Sequence, residues 1–180
     1  MLDTLHVALA LVTETDGLIV PLLQKIGIAT PALINRSVTV TAGDPYLFGS
    51  LAVGSSSHTA TAGTIQNDGN IASTYSLSAA TTTAGSPWSI GSALPTSGDV
   101  VVVSGGFHGS RPALGAFGPE DVITGTSAPS SATQFSINGS VTGVSVPVAA
   151  ARDIWFRLDM PTTSATESPQ DITVTITAGP

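Results

Sequence analysis

The residues of this chain that can do chemistry are few and widely spaced. Its three histidines, His6, His58 and His108, stand far apart. None belongs to an H-x-H or H-x-x-x-H spacing, which would present two imidazoles to one metal ion. The chain has no cysteine, which excludes zinc–cysteine sites, thiol catalysis and disulfide bonds. We therefore expect neither a metal centre nor a cofactor.

One Gly-rich stretch brings possible nucleophile and base together. In SGGFHGS, residues 104–110, His108 lies between Ser104 and Ser110. A serine hydrolase also needs a positioned acid and, on the α/β-hydrolase pattern, a G-x-S-x-G turn, and this stretch has neither. A glycine-rich loop with one aromatic residue explains it more simply.

A few carboxylates are candidates for oxygen ligands to calcium. Glu120 and Asp121 are adjacent, and Asp68 or Asp99 would have to join them. No D-x-D-x-D-G calcium loop is present, and the latter two aspartates fit turns better than ligands. No catalytic constellation emerges, so we predict a protein that is not an enzyme.

An aromatic and charged cluster is a candidate contact surface. Trp155, Arg157 and Asp159 alternate along one predicted strand, and Arg157 could stack on the indole. This face is interpreted as a subunit contact, a sugar-binding platform or an ordinary exposed cross-strand cluster. Trp88, in SPWSIG, is expected to fill the core.

Two sequons mark possible glycosylation. Asn35-Arg36-Ser37 and Asn138-Gly139-Ser140 match the N-x-S/T acceptor pattern, which makes Asn35 and Asn138 the glycan candidates if the protein is exported.

The composition excludes some partners and favours a location. The net charge is −7, with five scattered Lys and Arg residues, so no basic face is available for nucleic acid. Only 9% of the residues are charged, and Ser and Thr are abundant. A hydroxyl-rich surface without cysteine favours an extracellular, cell-surface protein over a cytosolic one.

From residue 36 onward, apolar and polar residues alternate with the period of β-strands. The alternation predicts strands at 37–42, 73–78, 133–138, 143–148, 153–160 and 171–178, and the valines at 100–103 predict a strand covered on both faces. Gly, Asn, Asp and Pro between these runs mark turns.

These elements predict an all-β fold, an Ig-like or jelly-roll β-sandwich. The sandwich is assigned to residues 36–180 and a hydrophobic N-terminal extension to residues 1–35. The irregular stretch at 105–132 is expected to run over one edge of the sandwich.

The extension begins with TLHVALALV, residues 4–12. Its bulky side chains alternate with small or polar ones, which predicts a strand with one bulky face; Asp3 as an N-cap keeps a short helix as the alternative. The bulky residues are Leu5, Val7, Leu9 and Leu11. Acidic residues on both sides argue against a cleavable signal, and interruptions by charge and proline argue against a membrane span.

Two stretches resemble paired strands of Ig-like sandwich domains in bacterial and archaeal surface proteins. They are NDGNIASTYSLS (67–78) and DIWFRLDMPTTSATESPQDITVTITA (153–178), with an Asn-Asp-Gly-Asn turn and a W-x-x-L-x-x-P strand. Some such proteins, including TasA-like matrix fibres and archaeal bundling pili, form filaments by donor-strand complementation. This chain is similar in carrying an alternating apolar segment ahead of the sandwich, although its leader is more hydrophobic and interrupted by proline.

The resemblance and the free edges expected of a sandwich imply the same function. The chain is expected to be a structural subunit of an extracellular homopolymer, with Leu5, Val7, Leu9 and Leu11 buried in the next identical subunit. Three alternatives stay open: residues 4–12 form the first strand of their own sandwich, or the protein is a viral capsid decoration or tail protein, or it is a carbohydrate-binding adhesin domain.

Overall fold

The computed structural model describes residues 34–94, 98–139 and 141–180. Residues 4–12, and nearly all of the extension at 1–35, lie outside these ranges. The described part consists mainly of strands in two sheets, with three single 3₁₀ turns at Leu114–Ala116, Pro119–Asp121 and Ile137–Gly139. The all-β sandwich prediction is confirmed. No helix in this part of the chain is long and apolar enough to span a bilayer.

The strands that the structure describes are β1 (Val38–Ala42), β2 (Ser56–His58), β3 (Gly63–Asn67), β4 (Thr74–Thr81), β5 (Ser89–Ile90), β6 (Val100–Phe107), β7 (Val122–Ile123), β8 (Ala128–Pro129), β9 (Ala151–Asp159) and β10 (Ile172–Gly179). The predicted strands at 37–42, 73–78, 100–103, 153–160 and 171–178 therefore correspond to β1, β4, β6, β9 and β10.

The larger sheet is centred on β9. β2 and β3 follow one another along one edge of β9, and β1 continues the sheet beyond β3. β6 pairs with the other edge of β9. The outer edge of β6 is shared by β7, which is antiparallel to it, and β5, which is parallel to it over two residues. Both β6 and β9 are therefore interior strands.

The smaller sheet has the order β10-β4-β8. β10 and β4 are antiparallel neighbours over eight residue pairs without a register shift. β8 covers only part of the opposite edge of β4, which is completed by loop bonds from the N–H of Tyr75 to the carbonyl of Gly143 (2.8 Å) and from Ala79 to Thr124 (2.8 Å). The two edges of β4 are thus both occupied.

The main core lies between the two sheets. It joins buried side chains of β3, β4, β6, β7 and β9, with the rings of Tyr75 and Phe107 6.0 Å apart. Asn67 is buried at the end of β3, and both polar atoms of its side-chain amide are hydrogen-bonded. Its Nδ2 donates to the carbonyls of Ile71 (3.0 Å) and Val146 (2.8 Å), and its Oδ1 accepts from the N–H of Gly69 (3.0 Å). A buried amide satisfied in this way fixes the turn between β3 and β4.

A second, smaller core lies on the outer face of the larger sheet. Trp155 projects from this face and packs with Phe117 and Ile137. Ile137 lies so close to Gly106 of β6 that a Cβ at Gly106 would be 2.5 Å from Ile137 Cγ1. Within the irregular stretch at 105–132, Phe117 joins this core on the sheet face, whereas β7 and β8 pair with the edges of β6 and β4.

Two predicted strands are wrong. Residues 133–138 form turns and a single bridge, with Phe135 in the left-handed region (φ 57°). Phe135 enters the main core and Ile137 enters the second core, so the alternation there reflects two separate cores.

Residues 143–148 make a single bridge, at Val146. Val146 is fully buried, whereas Val144 and Val148 are 36% and 50% exposed. The three valines therefore do not share one buried strand face.

Candidate functional site

One long edge in the described sheets carries no partner strand. β10 pairs with β4 on one side, and no strand of the described residues pairs with its other side. The N–H of Thr82 donates to the carbonyl of Asp171 at 2.9 Å, which makes this a hydrogen-bonded pair. Such pairs alternate along an antiparallel ladder, so the N–H and C=O groups of every second residue point outward to the open edge. These residues are Ile172, Val174, Ile176 and Ala178.

The same residues direct their side chains toward the core, yet the core covers them incompletely. On the neighbouring strand β4, Tyr75, Leu77 and Ala79 are buried, whereas Ile172, Val174, Ile176 and Ala178 on β10 are only half-buried. The open edge therefore offers backbone groups that no described strand pairs with, together with apolar side chains.

The edge of the larger sheet on the same side is also incompletely covered. β1 approaches β10, and its Val40 lies opposite the buried Ile65, on the inward face of the sheet. Even so, Val40 is 45% exposed. We call this region the β1–β10 seam, defined by Val38, Val40, Ile172, Val174 and Ile176.

The cluster of Trp155, Arg157 and Asp159 is covered. Trp155 is 7% exposed, and its Nε1 donates to the carbonyl of His108 at 2.9 Å. Arg157 Nη2 lies 2.7 Å from Asp159 Oδ1, and its Nη1 donates to the carbonyl of Leu114 at 3.2 Å. Arg157 thus pairs with the carboxylate rather than stacking on the indole. The interpretation of this face as an exposed sugar platform is wrong, because the chain's own loop covers it.

The buried carboxylate of Asp159 organises its surroundings. Ser56 Oγ donates to the same Oδ1 that binds Arg157. His58 lies opposite Arg157 in the β2–β9 pair. Burial lowers the pKa of His58, and the guanidinium groups of Arg111 and Arg157 lower it further. The neutral imidazole is therefore favoured. Arg157, held by Asp159, attaches the loop at 108–121 to the sheet through its hydrogen bond to the carbonyl of Leu114.

The Ser104, His108 and Ser110 group does not form a catalytic arrangement. Ser104 is buried on β6, whereas His108 is followed by a tight turn in which its Nδ1 lies 2.6 Å from the carbonyl oxygen of Ser110. The turn explains the polar contacts of this imidazole. The other histidine-based candidate, His6, lies outside the described residues.

A separate cavity of about 350 Å³ is lined by residues of the segments 116–121 and 132–139, among them Glu120 and Asp121. Asp121 is 1% exposed. Its Oδ2 accepts from the N–H of Gly118 at 2.9 Å. Burial raises the pKa of Asp121 to about 6, and repulsion from Glu120 adds to the increase. The N–H groups of Gly118, Ser136 and Phe135 act in the opposite direction.

Stability should depend on pH through this carboxyl group. The folded pKa of Asp121, about 6, exceeds its ordinary value of 3.8, so the folded state holds the proton more tightly. The free energy of unfolding should therefore fall by at most about 3 kcal/mol as the pH rises from 4 to 7, and level off above that. Denaturant titrations of the protein at several pH values measure it. Asp121→Asn should flatten this part of the curve, and an unchanged slope in the variant would contradict the assignment.

The remaining candidates lie on the surface or at its margin. Asn35 and Asn138 are exposed, as glycan acceptors must be, and Asn138 adopts a left-handed backbone conformation (φ 59°). Trp88 is half-buried against the main core, and its Nε1 donates to Ser164 Oγ at 3.0 Å.

Comparison with known proteins identifies no relative. No family model matches the chain, and neither the curated proteins nor the solved structures include a significant match. Function is therefore inferred from the site itself.

Sequence reasoning named the segment proposed to be donated and missed the surface that would receive it. The apolar positions of β10 were visible as an alternation, but their incomplete burial was not, because burial depends on which strands flank β10. The seam has no motif, and only the pairing of strands defines it.

Proposed function

We propose that this chain is a structural subunit of an extracellular filament, in which identical subunits join by donor-strand complementation. The observation that carries the proposal is the open edge of β10 with its half-buried apolar side chains. The donor is the segment at 4–12, and the acceptor is the β1–β10 seam. Assembly itself is the function, and no catalysis is involved.

Donor and acceptor match in length and in pattern. The donor has nine residues and β10 has eight, so at about 3.3 Å per residue they span about 30 Å and about 26 Å. In a donated strand, the four bulky side chains at alternate positions would lie beside the four inward side chains of β10. A donated strand would also pair with the outward N–H and C=O groups of β10, which is how strand addition binds extended segments.

The energetic case rests on apolar burial. Each of Leu5, Val7, Leu9 and Leu11 contributes roughly 1.5 to 3 kcal/mol when fully buried. Covering Val40, Val174 and Ile176 on the acceptor adds to this stabilisation. A contact in which the extension of one subunit enters the seam of the next is head-to-tail, and it grows into a filament unless its rotation closes a ring.

The extracellular location is supported by composition. The chain has few charges, many hydroxyls and no cysteine, and its described surface exposes the sequon residues Asn35 and Asn138. Glycans at these positions are compatible with assembly, because neither asparagine belongs to the β1–β10 seam. A virion filament or tail would use the same contact, and detection of the protein on cells or on virions distinguishes the two.

Replacing Val174 by proline tests the acceptor. The N–H of Val174 points away from β4, so Val174→Pro should leave the β10–β4 ladder intact while it removes a donor from the open edge. We expect a critical concentration for polymerisation at least about tenfold higher, from the loss of roughly 1.4 kcal/mol or more per contact. Sedimentation and negative-stain microscopy of the purified protein measure it.

Val174→Ala is the matched control. It removes at least as much side-chain packing as proline does and retains the N–H, so it should assemble better than the proline variant. Equal polymerisation of Val174→Pro and the parent chain would exclude β10 as the acceptor. A parent chain that stays monomeric at all concentrations would reject the filament function.

A further inference from the structure

An exposed apolar group lies outside the β1–β10 seam, in the segment that precedes β9. Val144, Pro147 and Val148 are all exposed, and we call these three residues the end patch. The residue after each valine, Ser145 or Ala149, has a left-handed backbone (φ 45° and 59°). Residues other than glycine adopt this conformation infrequently, and such positions are concentrated at functional sites.

The end patch flanks the turn from β3 to β4. The N–H of Ala149 donates to the carbonyl of Asn67 (2.9 Å), and the N–H of Asn67 donates to the carbonyl of Ala150, just before β9 (3.0 Å). Asn35 is held at the same turn, because its N–H donates to Asn70 Oδ1 (2.8 Å) and its carbonyl accepts from the N–H of Asn70 (3.0 Å). The N-terminal extension therefore departs from this end of the sandwich. In a head-to-tail filament, the end from which the donor departs is directed toward the subunit that receives it.

A second exposed apolar group lies in the loop that joins β1 to β2, residues 43–55, which we call the β1–β2 loop. Leu47 is 84% exposed and Val53 is 54% exposed. The N–H of Gly54 donates to the carbonyl of Pro161 at 2.8 Å, just beyond the last residue of β9. The end patch lies beside the first residue of β9, so the two apolar groups are found toward opposite ends of the same strand.

Leu47 projects from a part of the loop that is anchored on both sides. The hydroxyl of Tyr46 accepts from the N–H of Ala60 at 2.7 Å, and the rings of Tyr46 and Phe48 meet edge to face with centroids 4.9 Å apart. Phe48 and Leu51 pack against the main core. A large apolar side chain on an anchored loop has little conformational freedom to lose on binding, which favours it as an interface anchor.

We propose that the end patch of one subunit packs against the β1–β2 loop of the next, so that a second contact accompanies the donated strand. This inference rests on the proposed filament, and the partner is a second copy of this chain. Neither segment 143–150 nor segment 45–55 contains a charged residue, which favours an apolar partner over an ionic one.

The two surfaces differ from each other and lie at opposite ends of β9, so their contact is head-to-tail, as strand donation is. A glycan on Asn35 would stand at the same end of the sandwich as the end patch. It would leave strand exchange free and hinder only this second contact.

Opposite charges introduced into the full chain test the contact. Leu47→Lys and Val148→Asp each place an unpaired charge in an apolar contact, so each should raise the critical concentration for polymerisation about tenfold. When both are present in one chain, the two charges meet across every contact, and the critical concentration should return to within about threefold of the parent value. Ala113→Lys and Ser127→Asp change exposed residues elsewhere and should polymerise like the parent. Sedimentation measures polymerisation, and circular dichroism shows whether each variant is folded.

The outcomes separate this contact from strand donation. A parent-like critical concentration in either folded single variant would overturn the second contact and leave the filament proposal standing. A double variant as impaired as the single variants would show that the two surfaces do not meet, and it would overturn the contact as well. A parent chain that never polymerises would reject both proposals. Val174→Pro acts on the edge of β10, so its effect should be equal in the parent and in the double variant.

Discussion

A chain that lacks residues 1–13 should fold and remain as free subunits under conditions in which the full chain polymerises. The deletion removes all four bulky donor side chains, Leu5, Val7, Leu9 and Leu11, and every backbone group that would pair with the open edge of β10. We expect filaments to be absent by negative-stain microscopy, and a critical concentration raised by at least about a hundredfold.

The size of this effect follows from what one contact must overcome. Association costs about 4 to 15 kcal/mol in lost freedom before any strand is ordered. Four buried side chains at roughly 1.5 to 3 kcal/mol each offset this cost only when all are present. Loss of the whole segment therefore leaves no comparable source of binding energy.

Peptide and point variants provide the controls. A synthetic peptide of residues 4–12 should bind the truncated chain, whereas the same peptide with Leu9→Asp should not. In the full chain, His6→Ser lies on the slim face of the donor and should leave polymerisation unchanged. Filaments that persist after the deletion would reject the donor role. A truncated chain that unfolds would instead mean that residues 4–12 complete their own subunit's sheet.

Trp155→Ala should lower the free energy of unfolding by about 3 to 5 kcal/mol. The substitution empties the second core, where the indole packs with Phe117 and Ile137, and leaves the carbonyl of His108 without its donor. The loop at 108–139 would lose its main apolar anchor. Equilibrium denaturation gives the free energy, and limited proteolysis shows whether cleavage moves to this loop.

Two other tryptophan variants calibrate that result. Trp155→Phe keeps a ring in the second core and loses the N–H donor, so about 1 to 2 kcal/mol is expected. Trp88→Ala removes a half-buried indole and should cost less than Trp155→Ala. A cost for Trp155→Ala within the range of ordinary surface substitutions would mean that the second core does not hold the loop. Polymerisation should be retained in folded Trp155→Phe, since Trp155 lies outside the β1–β10 seam.

The strands with long, regular alternation could be predicted from the sequence. β4, β9 and β10 each have alternating apolar residues over five or more positions, and the valines of β6 indicate a strand buried on both faces. Their pattern is local, because successive side chains of a strand point to opposite faces whatever lies beyond them. The absence of cysteine and the low content of charged residues are likewise read directly from the sequence, and they limit the kinds of site that the chain can form.

The short alternations gave wrong strand predictions, because a local pattern does not show which core each side chain enters. Phe135 and Ile137 alternate as a strand would, but the backbone turns between them and sends each ring or side chain to a different core. Trp155 has the sequence setting of an exposed aromatic residue, and a loop from more than fifteen residues away in sequence covers it. A local pattern cannot report such coverage, because coverage depends on distant parts of the chain.

The sequence by itself determined the strand-rich class, the alternation of β10 and the hydrophobic character of residues 4–12, since each depends only on residue types at short spacing. The tertiary structure alone decided that β10 lies at an edge, that the Trp155 face is covered, and that Asp121 is buried beside Glu120. These three features arise from the order of strands in the sheets and the path of one loop. The strand order and the loop path both bring together residues that are far apart in the chain, so a short-range pattern in the sequence cannot predict them.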